Sequence, residues 1–112
     1  MNIVKITIRL AYLVALTMAT TQAGAQEMWS PSTKVAGLYP ASDGFYFTTV
    51  YANTVVSTCD NGRRYMIALT NPNYKALIGS LMFAFGSDKT IYFHLPDSTP
   101  SCAPVVDRFQ MQ

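Results

Sequence analysis

Apolar and polar positions along the chain repeat with two different periods. From Asn71 to Gly86 the apolar residues Tyr74, Leu77, Ile78, Leu81, Met82 and Phe85 recur every three or four positions. That spacing predicts a single amphipathic helix with one buried stripe. Asn71 is placed to cap it, and Pro72 suits the first turn, where no N–H is needed. Gly86 is placed to take the left-handed conformation that ends it, ahead of the polar Ser87-Asp88-Lys89.

Elsewhere the period is two, which predicts strands. The strongest is Phe45–Tyr51: Phe45, Phe47, Thr49 and Tyr51 face one side, Tyr46, Thr48 and Val50 the other. Lys34–Tyr39 precedes it, ended by Pro40 to Gly44, where Asp43-Gly44 is a turn signal. Thr54–Cys59 reads as a short third strand, and Asp60-Asn61-Gly62 turns the chain. Arg63–Thr70 follows, with Tyr65, Ile67 and Leu69 on one face. After the helix, Thr90–Leu95 points Ile91, Phe93 and Leu95 inward and Tyr92 and His94 outward. Pro96–Pro104 is a loop, and Val105–Met111 is a last strand in which Val105, Asp107, Phe109 and Met111 alternate with Val106, Arg108 and Gln110, so its inward face is ambiguous. Gln26–Ser32 reads as a flexible lead-in whose Trp29 folds back on the core. Strands at short spacing with one helix predict a mainly β, α+β domain, a small antiparallel, partly open barrel or curved sheet.

The first 25 residues change the account of charge. Lys5 and Arg9, an apolar Leu10–Met18 and the small residues Ala23-Gly24-Ala25 form the pattern of a signal peptide cut before Gln26. The apolar run is too short to span a bilayer. The net charge of +2 includes Lys5 and Arg9. Without them six basic residues face six acidic ones, and a neutral domain lacks the footprint of a nucleic-acid binder. The remaining chain of about 87 residues makes one small domain, residues 26–112, in need of reinforcement. Cys59 and Cys102 are the only cysteines. In an exported chain they predict a disulfide, and the lack of a Cys-x-x-Cys motif argues against a redox pair or metal ligands.

No catalytic set stands out. The aspartates, Asp107 apart, lie near turns and loops, and His94 is the lone histidine, without a nucleophile motif. There is no ligand set for a metal and no Gly-rich loop for a phosphate, so no cofactor is expected. Arg63-Arg64 is a basic pair read as a solvated hairpin tip. Two features remain. Opposite the helix stripe lie Ala76, Gly79, Ser80 and Phe83, where a solvent face would carry Lys and Glu. Small residues with a Phe suit close packing against another subunit. Tyr46, Tyr51 and Tyr92 reach outward from strands, and tyrosine can stack on a sugar ring while bonding its hydroxyls.

The run Asn71-Pro72-Asn73-Tyr74-Lys75-Ala76-Leu77, with Ala84 to Phe93 after it, resembles the B subunit of subtilase cytotoxin and small secreted bacterial proteins. The resemblance covers about a quarter of the chain and no glycan-contacting position. It implies an OB-like barrel assembled into a ring of five, helices lining the pore, that binds cell-surface glycans. The expected function is a secreted or periplasmic, non-enzymatic binding subunit that self-associates and takes a glycan or protein partner. The alternative is a monomeric secreted or periplasmic accessory or inhibitor that binds another protein.

Overall fold

The computed structural model describes residues 26–112; the signal-peptide pattern lies outside the described residues. Among the described residues there are six strands and one α-helix: β1 (Met28–Trp29), β2 (Thr33–Ala41), β3 (Gly44–Thr49), β4 (Arg64–Ala68), α1 (Tyr74–Gly86), β5 (Thr90–Leu95) and β6 (Arg108–Met111). All ladder pairings between them are antiparallel. β2, β3 and β4 form a meander. β5 returns to pair with β2 at Thr33↔Ile91 and with β1 at Trp29↔His94. β6 pairs with β5 in turn. The sheet curls toward closure because the chain before β6 docks on β4. Met66 and Val105 form an isolated parallel bridge, with Met66 N–H donating to Pro104 O at 3.1 Å and Val106 N–H to Met66 O at 2.8 Å. The result, among the described residues, is a mainly antiparallel, curved, barrel-like sheet with one helix, the architecture the periodicity predicts.

The inward positions are those of the alternating pattern. Phe47, Tyr65, Ile67, Ile91, Phe93, Leu95, Val106 and the helix residue Leu81 are fully buried. Removing each large one from water contributes about 1.5–3 kcal/mol. Phe93 sits at the centre, its ring 4.4 Å from that of Tyr65 and 6.3 Å from that of Phe47. Burial pushes the Tyr65 hydroxyl up to about 12, and that hydroxyl donates to Gly62 O at 3.1 Å.

Several elements depart from the expectations. Gln26–Ser32 is not a plain lead-in, since Met28–Trp29 forms β1. β1 and β2 run end to end along one edge of β5. Pro31 interrupts them, and Ser30 spans the gap by donating N–H to Phe93 O while its Oγ accepts from Phe93 N. β2 runs on through Pro40, because the two-residue loop Ser42-Asp43 turns the chain two residues later than the proline. Thr54–Cys59 is not a strand; only Ser57 bridges, to Ser101. The last strand shortens to Arg108–Met111, its predicted start being spent on the Met66 bridge.

α1 lies between β4 and β5 and packs on β2, β4 and β6. It begins at Tyr74, not Pro72. Asn71 does not cap it directly; its Oδ1 accepts from Asn73 N at 2.8 Å in a turn that leads into the helix. Gly86 stays helical. The left-handed residue is Asp88 (φ 54°), and Lys89 N–H closes the end on Ala84 O at 2.9 Å. The buried stripe runs through Tyr74, Leu77, Ile78, Leu81 and Ala84, so Met82 and Phe85, predicted inward, are exposed on its flank.

Candidate ligand site

The hairpin loop at Ser42-Asp43 sets the cross-strand rows of the meander. It places Tyr39 opposite Tyr46 and Tyr46 opposite Met66 on the outer face. The next outward row is Gly37, Thr48 and Arg64. Gly37 contributes no side chain, and a Cβ there would stand 3.0 Å from Thr48 Oγ1. The missing side chain opens a cleft of about 180 Å³ between Tyr39, Tyr46, Thr48, Asp60 and Arg64. A wider hollow continues past Tyr46 and Arg64 toward Met66 and Cys102.

The two tyrosine rings stand 5.9 Å apart and tilted by 51°, and Tyr39 is 64% exposed. Arg64 Nε donates to Asp60 Oδ2 at 2.7 Å, and Arg64 Nη1 lies 3.6 Å from Cys102 Sγ. The bond to Asp60 holds the guanidinium above its ordinary range. Tyr46 donates its hydroxyl to Asp43 Oδ2 at 2.7 Å, which raises the phenol. Asp60 is aimed here by an uncommon backbone: Asp60 (φ 50°), Asn61 (φ 55°) and Gly62 (φ 82°) are all left-handed. Asp and Asn tolerate that conformation and glycine takes it freely. Asp43, Asp60 and Arg64 leave the site with one net negative charge. The groove thus offers two aromatic faces ringed by carboxylate acceptors and guanidinium donors.

The three tyrosines expected at a ligand site do not converge. Tyr46 is in the groove. Tyr51 is half-buried against Phe93, its hydroxyl accepting from Asn53 Nδ2 at 3.0 Å. Tyr92 lies on β5, bonded to Gln110 and edge-on to Trp29. Tyr39, Asp60 and Arg64 were not singled out by periodicity as ligand residues. Arg64, read as half of a solvated pair, is tied to Asp60. The available signal was the Asp43-Gly44 turn, which fixes the Tyr39–Tyr46 register once the loop length is known.

His94 is a second correction. Its outward strand position is covered, leaving it 2% exposed. Its Nδ1 lies 2.6 Å from Asp107 Oδ1 and its Nε2 3.0 Å from Glu27 Oε2. The Trp29 ring rests against the imidazole at 4.9 Å, and the Arg108 guanidinium lies over Trp29 at 5.5 Å. Ser30, the serine bonded to Phe93, has its hydroxyl engaged with Pro31 O. Among the described residues no group of three or more His, Cys, Asp and Glu side chains is arranged to hold a metal ion.

Ala76, Gly79, Ser80 and Phe83 all lie on the exposed side of α1, with Phe83 55% exposed. Met82 and Phe85 extend that apolar face. Cys59 and Cys102 are joined, 43 residues apart in sequence. No described helix is long and apolar enough to cross a membrane. No protein-family model, curated protein or solved structure matches this chain.

Proposed function

We propose that the chain is an exported, non-enzymatic binding subunit that takes a neutral saccharide in the Tyr39–Tyr46–Arg64 groove and self-associates through α1. The observation that carries the reading is the groove itself: two tilted tyrosine rings beside Asp43, Asp60 and Arg64. A sugar ring presents an apolar C–H face and a rim of hydroxyls. Tyrosine faces suit the first, and carboxylate and guanidinium groups suit the second. The net negative charge of the groove favours a neutral sugar over a carboxylated one. The Cys59–Cys102 disulfide supports an oxidising compartment, secreted or periplasmic.

Binding to a glycan array, followed by calorimetry on the hits, tests the ligand. Tyr39→Ala removes one ring from an exposed position and is expected to weaken binding about fivefold or more, from about 1–3 kcal/mol of lost stacking on the scale measured for aromatic side chains under flat rings. An array with no hit above background refutes the saccharide reading. The assembly rests on the exposed Phe83 and its small neighbours Ala76, Gly79 and Ser80. Light scattering is expected to show an oligomer that Phe83→Glu dissociates without loss of fold. A wild-type monomer at micromolar concentration favours the second reading, a monomeric accessory or inhibitor that offers Met82, Phe83 and Phe85 to another protein.

A further inference from the structure

Taking the groove as a saccharide site, on which this step rests, we propose that its ligand is a linear oligosaccharide laid along the outer face of β2 and β3, not a single sugar. The Tyr39–Tyr46 cleft does not end at its own walls. At about 180 Å³ it is smaller than the ~300 Å³ at which small-molecule sites begin. A hollow of about 390 Å³ lies beyond Thr48 and Asp60, and another of about 450 Å³ beyond Tyr46 and Arg64. Thr48 and Asp60 line both the cleft and the first hollow. Tyr39, Tyr46 and Arg64 line both the cleft and the second. Shared walls join these spaces into one trough.

The register of β2 keeps the trough open at the end away from the hairpin loop. Val35 pairs with Thr49 and Gly37 with Thr48, so Ala36 bulges out between two paired residues. Ala36 and Gly37 thus stand in succession with little or no side chain, the first lining the hollow and the second the cleft. From Ala36 to Ala41 the strand covers roughly 15–17 Å, room for about three pyranose rings in line. Polar groups are spread along this length. Asn61 and Arg63, both exposed, line one end, Asp60 and Arg64 the centre, and Asp43 the hairpin end. Amide and guanidinium groups donate to hydroxyls, and carboxylates accept from them. Such groups set in a row, not gathered round one point, match a row of hydroxyl-bearing rings. The tyrosine pair grips the middle ring, and the hollows take the units on either side.

The experiment is calorimetry with neutral oligosaccharides of one to four units, in glucose, mannose, galactose and N-acetylglucosamine series. In at least one series three units are expected to bind about tenfold or more tightly than one, the gain from a single added hydrogen bond to a charged group. Ala36→Trp, at an exposed position, fills the hollow beside Arg63 and is expected to erase that gain. Arg63→Ala removes exposed donors from the same hollow and is expected to cut the gain about threefold or more. It keeps the test decisive if the tryptophan variant fails to fold. Equal affinity for one and three units overturns the oligosaccharide while the saccharide groove stands, provided Tyr39→Ala weakens that binding. A gain with length that survives in the folded variants also overturns it, since the chain then lies elsewhere. Absence of binding at every length in every series overturns the saccharide reading and the oligosaccharide together.

Discussion

Replacing Gly62 with alanine is expected to cost far more than the addition of one methyl group suggests. Three effects add. Gly62 has φ 82°, and a left-handed alanine costs about 1–2 kcal/mol. The new Cβ would stand 2.6 Å from both Asn53 C and Thr54 N. These are backbone atoms, so the clash is not relieved by a rotamer change, and forcing extra atoms into packed space costs about 1–3 kcal/mol. Moving Asn53 also strains its N–H bond to Gly62 O, now 2.9 Å, worth about 1 kcal/mol. The total is about 3 kcal/mol or more, a large part of the 5–15 kcal/mol typical of a domain. For a chain of this size it corresponds to a fall in Tm of about 12 °C or more. Gly79→Ala is the matched control. Nothing lies within 4 Å of a Cβ built there. Its helical position gains about 0.5–1 kcal/mol from the lower entropy of the unfolded chain. Urea and thermal unfolding of both variants, under oxidising conditions, give the comparison. A Gly62→Ala loss below about 1 kcal/mol would refute the reasoning, because the left-handed penalty alone reaches that value.

Three further outcomes follow from the same contacts. Cys59→Ser with Cys102→Ser opens a loop spanning 43 positions, and the chain-entropy relation gives a loss of about 4 kcal/mol; a shift in urea midpoint equivalent to under 1 kcal/mol contradicts it. Burial keeps Tyr65 protonated up to about 12 while the unfolded phenol ionises near 10.0. The unfolded state alone therefore gives up this proton as pH rises past 10.0, so stability falls by up to about 1.4 kcal/mol per pH unit until the buried group also ionises. Tyrosinate absorbance during alkaline titration should show a late-ionising tyrosine that Tyr65→Phe removes; an unchanged profile for that variant counts against it. Exchanging Gly37 for alanine brings a Cβ to 3.0 Å from Thr48 Oγ1 and narrows the groove; saccharide affinity should fall while Tm changes little, and unaltered affinity would move the ligand elsewhere.

Much of this protein was determined by residue order alone. Alternation in Phe45–Thr49 and Thr90–Leu95 placed Phe47, Phe93 and their neighbours inside, since a strand's side chains have no other way to point. The three-to-four spacing from Tyr74 onward made a helix, and the two cysteines made a disulfide. What the order did not carry was any quantity that depends on a partner from another segment. Tyr39 and Tyr46 became neighbours through hairpin register. Asp60 reached Arg64 through three left-handed residues that no pattern announces. His94 has the outward parity of its strand and is buried all the same, because Glu27, Trp29 and Asp107 arrive from elsewhere to cover it. Periodicity is a local property of a single strand, whereas burial and charge pairing are settled only when separate strands meet.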